Sequence, residues 1–197
     1  MSEVNIIICG VGGQGVVLMS ELLGESAVRD GLKVQGSEVL GMAQRGGSVF
    51  SNIRLGAGVL APLTAEGRGD VMVSLEPSEA LRYLNFLSGA SDVVLNSAQV
   101  IPYTVHRGES VYPEMGKVLE LLAEATDRVK VIDATALARE AGNPQCTNVV
   151  MLGALFSTGR MPIRAETVKQ VIGEKFKSKV AEINLKAFEL GAAAFRA

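Results

Sequence analysis

Tryptophan is absent from this chain of 197 residues, histidine occurs once (His106) and cysteine twice (Cys9 and Cys146). Two cysteines so far apart, in no paired motif, offer neither a disulfide framework nor a zinc or iron–sulfur ligand set. Any redox metal the protein works with must be held elsewhere. The lone His106 lies beside a glycine-containing segment and reads as a surface side chain. Pairing it with Cys146 as a nucleophile leaves that pair without an orienting acid or an oxyanion motif. Basic residues are not in excess: 19 Lys and Arg against 21 Asp and Glu give a net charge of −2. No basic stretch supplies the phosphate-neutralising surface that nucleic acid requires. Long apolar runs are missing too. Ile6 to Cys9 is too short for a signal h-region or a membrane span, and Met1 to Asn5 carries no basic region, so the expected location is the cytoplasm, away from the membrane.

What remains is the balance of an α/β protein, with 48% hydrophobic and 20% charged residues, and one domain over residues 1–197 is expected. Val4 to Cys9 is an unbroken isoleucine-rich run, as in a parallel strand buried on both faces. Apolar residues then recur at helical spacing from Gln14 to Asp30, with Gly31 as a stop. Leu32 to Gln35 reads as a second strand completing a βαβ unit. Gly36 to Gly47 is polar and glycine-rich and reads as an ordered loop. Alternation returns in Ser48 to Leu55, and Gly56 and Gly58 mark a turn. Asp70 to Leu75, Asp92 to Leu95 and Val129 to Ile132 are further strand candidates, with a helix expected to start after Pro77 and run through Leu81 and Leu84. Asp133 to Ala141, Val149 to Phe156, Ala165 to Phe176 and Lys179 to Phe195 read as helices. Thr147 is the expected N-cap of the second, and Val180, Ile183, Ala187, Phe188 and Gly191 share a stripe on the last. The predicted fold is a single Rossmann-like α/β domain: a mostly parallel sheet, helices on both faces, and a helical C-terminal region.

Two segments carry candidate chemistry. Gly10-Val11-Gly12-Gly13-Gln14-Gly15 fits G-x-G-x-x-G between a strand and a helix, so Gly10, Gly12, Gly13, Gln14 and Gly15 form a candidate phosphate-binding turn. Close strand–helix packing with no ligand explains the same glycines equally well. A nicotinamide enzyme adds an acidic residue after the second strand, and Glu38 is the nearest, though an ordinary solvated carboxylate fits it better. No positioned acid or base for hydride transfer follows. The second segment is the loop around Arg45. Met42, Gln44, Arg45, Gly46, Gly47 and Ser48 combine a forked carboxylate- or phosphate-binding group with glycines that allow close backbone approach. Both segments follow strands at the same sheet edge and could line one crevice.

Gly10 to Gly15, together with Gly36-Ser37-Glu38-Val39-Leu40-Gly41-Met42-Ala43-Gln44-Arg45-Gly46-Gly47-Ser48-Val49, resembles the gamma-type chain of the 2-oxoacid:ferredoxin oxidoreductases. The second motif is the more specific. The Met42 to Ser48 form is most similar to the beta subunit of the indolepyruvate enzymes, as are Glu76-Pro77 with Glu79 to Leu84 and the stretch Asn184 to Gly191. Leu40 departs from that branch, where a histidine is common. The resemblance covers nearly the whole chain and implies a division of labour. The partner subunit would hold thiamine diphosphate, magnesium and [4Fe-4S] clusters. It would decarboxylate an indolepyruvate or related aryl pyruvate oxidatively, form an acyl-CoA, and pass electrons to ferredoxin. This chain would contribute no catalytic residue and hold no cofactor firmly, with coenzyme A as co-substrate near its glycine turn. Its Arg45 loop would face the partner subunit first and coenzyme A second, and homodimerisation stays open. The rival reading is a stand-alone nucleotide-binding enzyme, either an NAD-dependent dehydrogenase or an adenylating enzyme. A third is a scaffold that binds nothing small.

Overall fold

The computed structural model describes residues 3–43 and 45–196. In chain order the elements are β1 (Val4–Val11), α1 (Val16–Arg29), β2 (Val34–Leu40), β3 (Ser48–Leu55), β4 (Val71–Ser74), α2 (Pro77–Arg82) and β5 (Asp92–Asn96). They continue with α3 (Tyr103–His106), α4 (Met115–Ala125), β6 (Val129–Ile132), α5 (Ala134–Ala141), α6 (Thr147–Ser157), α7 (Ala165–Lys175) and α8 (Ser178–Arg196). The strands form one sheet in the order β2-β3-β1-β4-β5-β6. β1, β4, β5 and β6 run parallel, and β3 runs antiparallel to both β1 and β2.

Alternation along β1 explains the two layers. Ile6 and Ile8 point to one face and join α1, α5, α6, α7 and α8 in the larger core. Ile7 and Cys9 point to the other, with Met72, Val93, Leu95 and the apolar sides of α2 and α4. Every one of these four β1 side chains is fully buried, which is why the strand reads as an apolar run rather than an alternation. Helices thus cover both faces, as the sequence predicts.

The N-terminal unit differs from the expected βαβ. The second strand lies at the sheet edge, and β3 is inserted between it and β1. β2 also continues to Leu40, through residues expected to be loop. The register Gly36↔Ile53, Glu38↔Ser51 and Leu40↔Val49 shows that pairing with β3, not local propensity, sets its length. The helix begun at Pro77 stops at Arg82 and tightens into a 3-10 turn over Leu84–Phe86. Helix α4, absent from the sequence reading, buries Val118 and Leu122. Thr147 is the first residue of α6 and not its cap. A 3-10 turn at Pro144–Cys146 leads into that helix, and the Asn143 side chain accepts from Gln145 N–H. Val180 lies off the buried stripe of α8, being 48% exposed.

Candidate functional site

At the carboxyl end of β1 the chain reverses within four residues into α1. Gln14 fastens the turn. Its backbone N–H donates to Val11 O (3.1 Å), its side-chain oxygen accepts from Val11 N–H (2.9 Å), and its amide donates to Leu75 O beyond the end of β4 (3.0 Å). The glycines have separable reasons. A Cβ on Gly10 would sit 2.8 Å from Gln14 Oε1 and 3.0 Å from Leu75 Cβ, and one on Gly15 would sit 2.4 Å from Asn148 Nδ2 on α6. Gly13 meets nothing within 4 Å but has φ +97°, a left-handed conformation that glycine adopts without cost.

Gly12 is spoken for differently. Its N–H donates to Gly47 O (2.7 Å) and its carbonyl accepts from Gly46 N–H (3.1 Å). The two glycine segments of the sequence are thereby joined main chain to main chain. Gly46 carries φ +76°, and a Cβ on Gly47 would lie 2.6 Å from Ala43 O. The base of the loop is closed by Gly41 N–H to Ser48 O (2.9 Å). The Ser48 hydroxyl donates to the Glu79 carboxylate and lies 3.1 Å from Tyr83 OH. Glu79 is buried and also accepts from Arg82 Nε (2.9 Å). Tyr83 stacks on Phe50 with ring centroids 4.1 Å apart, and burial raises its hydroxyl pKa. Held at this base, the loop presents fully exposed Met42 and exposed Arg45 outward, and among the described residues Arg45 joins no ion pair. Gln44, the remaining loop candidate, lies outside the described residues.

Between turn, loop and helix is a cavity of about 510 Å³. Gly12, Gly13, Val17, Leu18, Leu40 and Ala43 are among its walls. The first turn of α1, whose N–H groups have no acceptor within the helix, forms one side. A second cavity of about 410 Å³ adjoins it between α1 and β2, with Glu21 common to both. Glu38 lines only the second, beside Ser37 and Ser51, and its pKa is raised by burial and then by Glu21. The expected convergence of turn and loop is therefore present, whereas Glu38 is set apart from the turn.

Sequence reasoning assigned no site role to Glu76, Glu79, Tyr83 or Asn148. Glu76 had a signal: an acidic residue directly before a proline that opens a helix is positioned to cap it, and its carboxylate accepts from Glu79 N–H (3.0 Å). The cysteines belong to the cores on opposite faces of the sheet. Burial lifts the Cys9 thiol to about 12, and His106 lies exposed on α3.

The family model described as pyruvate ferredoxin/flavodoxin oxidoreductase matches residues 5–194, almost the whole chain. The chain belongs to that family. Within the family it is similar to the subunits of gamma and IorB type. It is 45% identical to "Indolepyruvate oxidoreductase subunit IorB" of Archaeoglobus fulgidus over 189 residues, 96% of this chain and 94% of that one. The solved keto/oxoacid ferredoxin oxidoreductase gamma subunit of Geobacter sulfurreducens shares the fold, with TM-score 0.71, 20% identity and 98% of each chain covered. A 2-oxoglutarate:ferredoxin oxidoreductase chain of Magnetococcus marinus shares it too, with TM-score 0.77 and 21% identity. There the match covers all of this chain but 31% of the other, so the present fold forms about a third of that longer polypeptide. A pyruvate ferredoxin/flavodoxin oxidoreductase chain of this type is thus one subunit of a 2-oxoacid:ferredoxin oxidoreductase. Among the described residues no helix is long and apolar enough to cross a membrane.

Proposed function

We propose that this chain is the non-catalytic, IorB-type subunit of an indolepyruvate:ferredoxin oxidoreductase, acting in the cytoplasm as one gamma-type unit over its whole length. In this reading the partner subunit carries thiamine diphosphate, magnesium and [4Fe-4S] clusters. There an indolepyruvate or related aryl pyruvate is decarboxylated, its acyl group passes to coenzyme A, and the electrons go to ferredoxin. The name of the Archaeoglobus relative supports the substrate class. The Magnetococcus enzyme, solved with 2-oxoglutarate, coenzyme A and succinyl-CoA bound, supports the acyl-CoA chemistry. The donor set of this chain agrees with the division of labour, because two thiols buried on opposite faces of a sheet do not fit a cluster.

The observation that carries the reading is the pairing of Gly12 with Gly46 and Gly47. In this reading the pairing holds the base of the loop against the turn, and exposed Met42 and Arg45 serve as its contact for the catalytic subunit. Beside it the open start of α1 is the natural corner for a phosphate of coenzyme A, through Gly10, Gly12, Gly13, Gln14 and Gly15. The test is reconstitution with the catalytic subunit and assay on indolepyruvate, phenylpyruvate, pyruvate and 2-oxoglutarate. Aryl pyruvates are expected to show the highest kcat/KM, with acyl-CoA formed only by the complex. Turnover by this chain alone with tightly bound NAD or ATP would overturn the proposal.

A further inference from the structure

Between β5 and α4 the chain devotes residues 98–113 to a strap that is folded largely on itself. Ser110 Oγ donates to Thr104 Oγ1 (2.9 Å), Arg107 pairs with Glu109 (2.9 Å), and the α3 turn closes through Val105 N–H to Pro102 O (3.0 Å). Among the described residues, its hydrogen bonds to the body converge on the start of α2. The Val100 N–H donates to Glu76 Oε1 (3.3 Å), and the Tyr112 hydroxyl donates to the same oxygen. Burial and then that carboxylate raise the Tyr112 pKa. Glu76 is fully buried, and its other oxygen is equally engaged, accepting from Ser78 Oγ (2.6 Å) and Glu79 N–H (3.0 Å). One buried carboxylate therefore latches the strap and caps α2 at once.

Three residues on, Glu79 projects from that same helical turn to the Ser48 hydroxyl. Ser48 in turn closes the Arg45 loop through its carbonyl to Gly41 N–H, and the loop holds Gly12. The links are contiguous and centre on two buried carboxylates, Glu76 and Glu79, reached by the partly buried hydroxyls of Tyr112 and Ser48. Breaking one leaves a buried carboxylate short of a donor, a state the neighbouring element must move to relieve.

We propose that Glu76 and Glu79 form a conformational relay: release of the strap 98–113 from Glu76 loosens the Arg45 loop and the glycine turn, and disturbance of the loop loosens the strap. The two surface segments of the carboxyl edge are then one coupled unit, whatever engages either of them. The proposal does not depend on which subunit or substrate the enzyme uses.

The test is amide hydrogen exchange on the full chain for two single substitutions at opposite ends of the relay. Tyr112→Phe removes a strap donor but leaves the α2 cap intact. Ser48→Ala removes the loop donor to Glu79. Each is expected to speed exchange by about fivefold or more in both 98–113 and 41–48, with α6 and α8 unchanged, because coupling between two sites is reciprocal. A substitution that loosens only its own segment, or neither, overturns the relay, as does a uniform acceleration that includes α6 and α8. Should Tyr112→Phe fail to fold, Ser48→Ala decides alone, since reciprocity requires it to loosen the strap.

Discussion

The carboxyl edge around Gly12 and the helical layer around Gly191 are both built on glycine, but the edge, besides the room left by Gly10, Gly15 and Gly47, uses it for a second reason. In the helical layer α6 and α8 touch backbone to backbone. A Cβ on Gly191 would lie 1.8 Å from Val150 O, and one on Gly153 would lie 2.0 Å from Phe188 O. Space is what these glycines supply. At the edge, Gly13 and Gly46 have nothing within 4 Å but carry φ of +97° and +76°. Conformation is what they supply. The first kind holds the fold together, while the second shapes the exposed turn and loop.

That contrast orders the expected effects. Gly191→Ala forces α6 and α8 apart and should cost about 3 kcal/mol, at the upper end for overpacking. This is a loss of about 6–12 °C in melting temperature for a chain of this size. Melting with little change would show that the helices can slide apart freely and would erase the contrast. Next is Asp30, which joins α1 to α7. Its buried carboxylate accepts from Arg164 N–H (2.7 Å), Arg164 Nε (3.0 Å) and Thr167 Oγ1 (2.7 Å). Arg164 and then these further hydrogen bonds hold its pKa well below the usual carboxylate range. Asp30→Asn should cost about 1–3 kcal/mol near neutrality. Because the folded pKa is depressed, the stabilisation is fully present above the unfolded value of about 4 and is lost as the pH falls toward the folded value. Melting of both forms across the acid range should show their difference narrowing, and a constant difference would mean that the ionised carboxylate is not what stabilises this joint. Smaller still, Gly46→Ala should cost about 1 kcal/mol through backbone strain alone. Raised amide exchange should be confined to the edge, and exchange spreading into α6 would contradict the separation of the two regions.

The helical layer and the central strands were legible because burial there writes itself into periodicity. β3 and β6 have the bounds expected from sequence, and α5 and α7 lie within one or two residues of theirs. The edge was legible only in part. G-x-G-x-x-G announced the turn, and Arg45 among glycines announced a loop. Nothing local says that β3 inserts beside β1, because Gly36, Ser37 and Glu38 are weak strand formers that become a strand only through their partner. The reciprocal bonds of Gly12 follow from that insertion, so the sequence could suggest that turn and loop meet but not which atoms join them. Helix α4 was missed although Val118, Leu119 and Leu122 have helical spacing, a signal available and unused. The capping role of Glu76 was legible before Pro77, but Glu79 was hidden for another reason: a buried carboxylate looks like a surface one until the donors around it are placed.

The smallest effect on stability and the largest on function should coincide at Arg45. It is exposed and outside the core, so Arg45→Ala should shift stability by no more than about 0.5 kcal/mol. The direct test of the proposed assembly-facing role of this edge is to titrate that variant against the catalytic subunit and assay the reconstituted enzyme with coenzyme A varied. The expected result is an unchanged melting temperature together with partner affinity weakened by about fivefold or more, as for a contact worth about 1 kcal/mol or more. Unchanged partner affinity, KM for coenzyme A and turnover would contradict an assembly-facing role for this loop.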